Sequence, residues 1–261
     1  MISVVMPSYN QAKFIRQSID SVLAQKYPNL ELIVVDGAST DGTVEILKGL
    51  KDSIRWVSEP DKGQADAINK GFSMSAGEVL AWLNADDLYA PDALYHVGEF
   101  FASHPDTMWA VGHVSIVDET GREIRKLISW YKAQRLRHYS YRALLTENFI
   151  SQMGTFFRRA ALQHVGGVEP SLYYAMDYDL WLRLGKQFTP GLIDKKLAKF
   201  RMYPTSKSIT GFDRQFLEEL DVAKKYAGRS TWPIFCHHLN KIKIVTIYKL
   251  MALWRARKER S

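Results

Sequence analysis

Cysteine is almost absent from this chain: Cys236 is the only one. No internal disulfide and no cysteine-built metal site can therefore form, and the composition suits a reducing compartment. Long uncharged apolar runs are missing too, so no window reaches the length that crosses a bilayer. The opening residues, Met1-Ile2-Ser3-Val4-Val5-Met6-Pro7, have no basic start followed by a long apolar stretch, and no secretory leader is expected. Histidine offers no metal site either. His113, His138 and His164 lie in unrelated contexts, and His237 and His238 are adjacent, so they cannot share a helix face. There is no internal repeat and no low-complexity segment. The 261 residues suit one sizeable domain, or a domain with a small appendage.

Excess charge is nearly absent from the body of the chain. Of the net +7, residues 1–211 supply 24 Lys+Arg against 23 Asp+Glu, whereas residues 212–261 supply 11 against 5. A basic tail suits a phosphate-rich partner such as anionic lipid, or is simply a solvated helix face. The cations are confined to the tail and carry no recognised nucleic-acid motif, so nucleic acid is not expected as a partner.

What the sequence does contain is a β-α-β-α rhythm over its first hundred residues. Short apolar strands are predicted at 2–6, 30–35, 54–57 and 79–83, alternating with amphipathic helices at 12–25, 43–50, 64–74 and 91–104. This pattern implies an α/β fold with a mostly parallel sheet and helices on both faces. Ligands bind beyond the carboxyl ends of strands in such sheets. Three strands run into polar clusters there: Pro7-Ser8-Tyr9-Asn10, Asp36-Gly37-Ala38-Ser39-Thr40-Asp41 and Asn84-Ala85-Asp86-Asp87. The middle is less regular. A strand is predicted at 108–118, a basic and aromatic loop followed by a helix at 122–142, a strand at 155–159, and helices at 160–165 and 177–184.

These clusters, with Val34-Val35-Asp36-Gly37, Glu59-Pro60-Asp61-Lys62-Gly63-Gln64, Asp66-Ala67-Ile68-Asn69-Lys70-Gly71, Thr155-Phe156-Phe157-Arg158-Arg159 and Asp177-Tyr178-Asp179-Leu180-Trp181-Leu182-Arg183, give the chain a resemblance to the family 2 glycosyltransferases. It runs from Ser3 to about Ser208. The resemblance implies the GT-A fold, a Rossmann-like catalytic domain over 1–211, with 212–261 left as a basic amphipathic helical tail. It implies inverting transfer of a sugar from a nucleotide diphosphate donor to a glycan hydroxyl, of the kind that builds bacterial cell-surface polysaccharide.

Such chemistry needs a cation to neutralise the leaving diphosphate and a base for the acceptor hydroxyl. Asn84-Ala85-Asp86 stands where the family carries D-x-D, a stretch that touches ribose and metal. The resemblance thus implies that Asn84 and Ala85 meet the donor and that Asp86 holds Mn²⁺ or Mg²⁺, with Asp87 as a second carboxylate or an orienting one. The first family acid is Asn here, so the carboxylate count at the metal is lower. Asp36 resembles the acid that contacts base or ribose, and Pro7, Tyr9 and Asn10 line the same edge. Ser39 and Asp41 read better as caps. Asp66 matches another base-pocket acid, although its place also suits a plain first-turn acid. Asp177 takes the general-base position; Asp179 is its rival, and Met176 replaces the acid that precedes the base in the family. Arg201 and Lys207 look like a loop closing over the donor phosphates. Tyr203 stands where relatives often have a metal-binding His, and it is a poor ligand for these ions. Trp181 suits the core.

Two competing readings remain open at this level. A sugar nucleotidyltransferase would open with a glycine-rich, arginine-containing loop after strand one, and Pro7-Ser8-Tyr9-Asn10 is not such a loop. A non-catalytic nucleotide-sugar-binding protein is kept open by the departures at Asn84, Met176 and Tyr203. In the tail, residues 239–258 interleave apolar and basic side chains. They suit a helix in the interface of an anionic membrane, with a lipid-linked glycan as acceptor, or a helix packed on the domain or on a second copy of it. The expected location is the cytoplasm, with peripheral attachment to the inner face of the plasma membrane under the first of these.

Overall fold

The computed structural model describes residues 1–50, 53–229, 231–240 and 242, without the side chains of Ser208 and Phe212. The strands are β1 (Ile2–Ser8), β2 (Leu30–Asp36), β3 (Arg55–Ser58), β4 (Val79–Trp82), β5 (Leu88–Tyr89), β6 (Trp109–Val117), β7 (Glu123–Ile124), β8 (Thr155–Arg158) and β9 (Gly191–Arg201). The helices are α1 (Ile15–Leu23), α2 (Thr43–Gly49), α3 (Gln64–Met74), α4 (Ala93–Ser103), α5 (Lys126–Arg137), α6 (Tyr141–Leu144), α7 (Arg159–Val165), α8 (Met176–Gln187), α9 (Lys207–Thr210) and α10 (Phe212–Ala227).

Every residue of β1 is buried, because β1 lies inside the sheet with parallel neighbours on both sides. Its side chains alternate between two layers. Val4 and Met6 join a core closed by α1, α2 and α4, whereas Val5 joins one closed by α3, α8 and α10. The order is β3-β2-β1-β4-β8-β6-β9-β5, with β7 paired to β6. The half from β3 to β4 is parallel. Beyond it the sheet is mixed: β8 runs antiparallel to β4 and β6, and β9 runs parallel to β6. The α/β sheet with flanking helices agrees with the expectation, and the mixing enters with the irregular middle of the chain.

Two elements were not foreseen in detail. β9 is an eleven-residue strand in which Asp194, Lys195 and Lys196 are exposed and interrupt the apolar alternation. It carries Arg201 to the end of β4. α10 packs on α8 and buries Leu220, Val222 and Ala223, so the start of the tail belongs to the core. Trp181 is core as expected, stacked between Trp82 at 5.5 Å and Trp109 at 5.9 Å. Most of the stretch 239–258, on which the membrane expectation rests, lies outside the described residues.

Candidate active site

The parallel half of the sheet aligns its polar ends. Ser8 pairs with Asp36, and Asp36 pairs with Ser58. Asp36 is 0% exposed; its Oδ2 accepts from Ser39 N (2.9 Å) and Ser58 Oγ (2.7 Å), and its Oδ1 accepts from Ser39 Oγ. Asn10 N in turn donates to Ser39 Oγ (2.7 Å), and Thr40 N donates to Asn10 Oδ1 (3.0 Å). The loops after β1 and β2 are thereby sewn together. Ala38 adopts a φ of +61° within this turn, a left-handed conformation that costs a non-glycine residue about 1–2 kcal/mol. A Cβ at Gly37 would stand 2.7 Å from Asp61 Oδ2, so a larger residue there would displace the Asp61 carboxylate. Asp41 accepts from Thr43 N (3.0 Å) and Ala12 N (2.9 Å), but the N-cap of α2 is Gly42, which takes no side-chain bond, and Ser39, also expected as a cap, instead links Asp36 to Asn10. Pro7 is buried, Asn10 is exposed, and Tyr9 is 63% exposed. Asp66, in the first turn of α3, accepts from Lys62 N through Oδ2 (3.0 Å).

Beyond β4 the chain turns through Asn84, Ala85, Asp86 and Asp87. The two acids differ sharply. Asp87 is fully buried and accepts from Arg201 N (2.9 Å) and Asn84 Nδ2 (3.3 Å). Asp86 is half-buried and accepts from the Tyr203 hydroxyl (2.9 Å). Burial pushes both carboxyls up, Asp87 further because the charge of Asp86 adds to it. Ala85 is buried, and its carbonyl accepts from Ser18 Oγ (2.8 Å). Arg201 is 1% exposed. Its guanidinium donates to the carbonyls of Asp86 (2.8 Å) and Glu119 (2.9 Å) and to Gln17 Oε1 (3.0 Å), and lies 4.6 Å from the Phe14 ring. The structure thus places Arg201 beneath the Asp86 turn, as a strut.

Lys207 reaches the turn after β4 through Gln64. It donates to Gln64 Oε1 (3.0 Å), Gln64 Nε2 donates to Asn84 Oδ1 (2.8 Å), and the ammonium sits 3.8 Å from the centre of the Tyr173 ring. Burial lowers its pKa to about 8, against the pull of Asp177 and Glu218. Gln64 joins Asn84 to Lys207; the sequence showed it only as a motif residue.

Asp177 and Asp179 separate cleanly. Asp179 is 1% exposed and takes the Arg183 Nε (2.8 Å), the Tyr226 hydroxyl (2.7 Å) and the Lys225 ammonium (3.4 Å). Asp177 is half-buried, and its Oδ1 accepts from the amide of Tyr178 (2.7 Å). Burial pushes its carboxyl up to about 6, while Lys132 and Lys207 hold it from rising further. Lys132, on α5, is another residue that sequence patterning did not single out; burial lowers its pKa, opposed by the charges of Glu147, Glu219 and Asp177.

The site residues fit a divalent ion only in part. Among the described residues no group of three His, Cys, Asp or Glu gathers to form a closed site. Asp86 offers one carboxylate, which suits an ion that keeps its waters and shares substrate phosphates.

A sheet with a parallel half, a mixed half and flanking helices, its parallel strands ending in polar turns, is a GT-A-like fold. The chain belongs to glycosyl transferase family 2, whose model matches residues 3–166. An uncharacterised glycosyltransferase of Rickettsia typhi is 27% identical over 255 residues, covering 95% of this chain and 75% of that protein. TuaG of Bacillus subtilis, assigned to teichuronic acid biosynthesis, is 27% identical over 252 residues, covering 93% and 96%. Among solved structures, the mannosyltransferase PcManGT of Pyrobaculum calidifontis, in complex with GDP-Man and Mn²⁺, superposes with a TM-score of 0.66 at 19% identity, covering 97% of this chain and 80% of that one. That likeness establishes the fold. Asp177, Arg201 and Lys207 all lie beyond the segment the family model matches.

Proposed function

We propose that the chain moves a sugar from a nucleotide diphosphate donor onto a glycan hydroxyl, with inversion, using Mn²⁺ or Mg²⁺ at Asp86. The observation that carries this reading is a division among the acids. Asp36, Asp87 and Asp179 are at most 1% exposed, whereas Asp86, Asp177 and Asp66 are half-buried. The acids that the chemistry needs for the ion and for the acceptor proton, Asp86 and Asp177, are among those left accessible.

In this reading Tyr9 offers a ring face to the base, the loops ordered by Asp36, Pro7 and Asn10 border base and ribose, and Asp66 flanks the same pocket. Asn84, with Ala85, presents its amide to the ribose. Lys207 meets the phosphates, and Arg201 acts by holding the Asp86 turn. The ion, when bound by Asp86, supplies charge neutralisation for the departing diphosphate. Asp177 takes the proton of the acceptor hydroxyl. Its oxygen attacks the anomeric carbon as the bond to the diphosphate oxygen breaks, so an α-linked donor yields a β-linked product. A transfer assay with a panel of nucleotide sugars, read by the anomeric coupling constant of the product, tests this. A β-linked product is expected, and retention at the anomeric carbon would remove Asp177 from the role.

We assign the acceptor to lipid-linked glycan of the cell-surface polysaccharide class, met at the inner face of the plasma membrane. In support, Trp232, Phe235 and Leu239 are exposed at three- and four-residue spacing along the helical residues 232–240, and the sequence beyond is rich in Lys and Arg. No helix among the described residues is long and apolar enough to cross a membrane, so attachment would be interfacial. The full chain is expected to co-sediment with anionic vesicles at low salt and to be released by added salt. Failure to sediment, with a concentration-dependent change of oligomeric state, would assign the same face to a second copy of the chain.

A further inference from the structure

The loop that leads into α8 is held by a distant part of the chain. Glu218 of α10 accepts from Tyr173 N (3.0 Å), Tyr174 N and Ala175 N (2.6 Å). One carboxylate thus satisfies three successive backbone donors, and the loop is fixed before any ligand arrives. Asp177 follows three residues after Tyr174, in the first turn of α8. The side chains of the loop are less enclosed than its backbone. Tyr173 is 59% exposed, and its ring meets that of Tyr174 edge to face, with centroids 4.7 Å apart. Tyr174 is backed by the joint between α9 and α10, where a Cβ on Gly211 would run into its ring.

A hollow of about 490 Å³ opens here, lined by Tyr173, Tyr174, Arg214 and Glu218. That volume lies within the range of small-ligand sites. Arg214 is exposed and makes no hydrogen bond or ion pair among the described residues, so its guanidinium donors are available. Both oxygens of Glu218 are already taken by the loop amides. The hollow therefore offers aromatic surface and guanidinium donors on a rigid frame. A pyranose ring matches that offer, since its C–H faces pack on aromatic rings and its hydroxyls accept from a guanidinium. The hollow also borders the proposed site. The Lys207 ammonium that sits 3.8 Å from the centre of the Tyr173 ring donates to Gln64 Oε1 (3.0 Å), and Gln64 Nε2 donates to Asn84 Oδ1 (2.8 Å). A donor at the turn after β4 and a sugar on Tyr173 would meet at Lys207.

We infer that Tyr173 and Arg214 form a subsite for a sugar ring of the acceptor, next to the place where its hydroxyl reacts. Tyr173 supplies the stacking platform, on a loop that Glu218 holds, and Arg214 donates to the hydroxyls of the ring. That the sugar belongs to the acceptor rests on the glycosyltransferase reading; that the hollow takes a sugar does not.

The test titrates the full chain, carrying nitrogen-labelled tyrosine, with the methyl pyranosides of glucose, N-acetylglucosamine, mannose and glucuronic acid at high millimolar concentration. The amide signals of Tyr173 and Tyr174, each assigned by its Phe variant, are followed. At least one pyranoside should shift both signals. Tyr173→Ala and Arg214→Ala should each weaken that binding about tenfold, the size expected for one lost stacking contact or charged hydrogen bond. Both side chains are exposed, so both variants should fold. Tyr173→Phe, which keeps the ring, should bind as the wild type does. No shift with any of the four pyranosides, or undiminished binding by Tyr173→Ala, would overturn the proposal. A second arm measures the rise in melting temperature given by uridine and guanosine diphosphate sugars with Mn²⁺. The rise should be the same in the wild type and in Tyr173→Ala; a rise lost in the variant would give the ring to the donor and overturn the acceptor assignment. If no nucleotide sugar raises the wild-type melting temperature, the function reading fails, while the titration still decides whether the hollow binds a sugar.

Discussion

Asp86→Asn is expected to fold as the wild type does and to lose about a thousandfold or more in turnover, roughly 4 kcal/mol of transition-state stabilisation. The fold should survive because Arg201 is anchored by the Asp86 carbonyl at 2.8 Å, which the substitution leaves in place. The Tyr203 hydroxyl can still donate to an Asn oxygen. Burial already disfavours the charged form of Asp86, so removing the charge relieves a cost in the free protein. What is lost is the carboxylate that would share an ion with the donor diphosphate. Initial rates at saturating Mn²⁺, beside a thermal melt, make the measurement. A folded Asp86→Asn chain that transfers sugar at the wild-type rate would show the metal assignment to be wrong. Asp87, buried against Arg201 N and Asn84, should behave differently and lose stability when replaced by Ala, because two donors are left unpaired.

The acids two residues apart at the head of α8 should give opposite phenotypes. Asp177→Asn is expected to lower kcat by about 10²–10⁴ with little change in donor KM or melting temperature, as removal of a general base does. In the wild type, activity should fall as pH drops through about 6, since the base must be ionised and burial has raised its pKa to that value. Asp179→Asn should instead cost stability, by about 3–5 kcal/mol, because the partly buried Arg183 loses its anionic partner. A kinetic profile at several pH values and a denaturation curve for each variant separate the two roles. Normal turnover by a folded Asp177→Asn chain would return the base to another residue.

This pair also shows what the sequence made legible. Asp177 and Asp179 look equivalent as first-turn acids, yet they lie roughly 200° apart around the helix. Arg183, four residues after Asp179, carries the available signal, since that spacing places the two on one face. The parallel half of the sheet was readable because β1, β2 and β4 are buried apolar runs that end in polar turns. β9 was not, because its exposed lysines hide the alternation. Glu218 and Glu219 were beyond reach. On α10 they read as ordinary solvated acids, and only the docking of α10 on α8 shows that one accepts from the amide of Ala175 ahead of α8 and the other is buried. Arg201 could be read as a cation close to the donor, but whether it met phosphate or carbonyl depended on a strand that the pattern concealed.

The position of α10 bears on how such enzymes can be recombined. A chimera that exchanged the C-terminal portions of two relatives at residue 211 would appear to spare the catalytic unit, since the sheet, Asp86 and Asp177 all precede the junction. It would in fact bring foreign side chains against α8, where Leu220, Val222 and Ala223 are buried and Glu218 accepts from the amide of Ala175. A graft intended to exchange the tail alone would then also repack that side of α8, unless the junction were moved past Ala227.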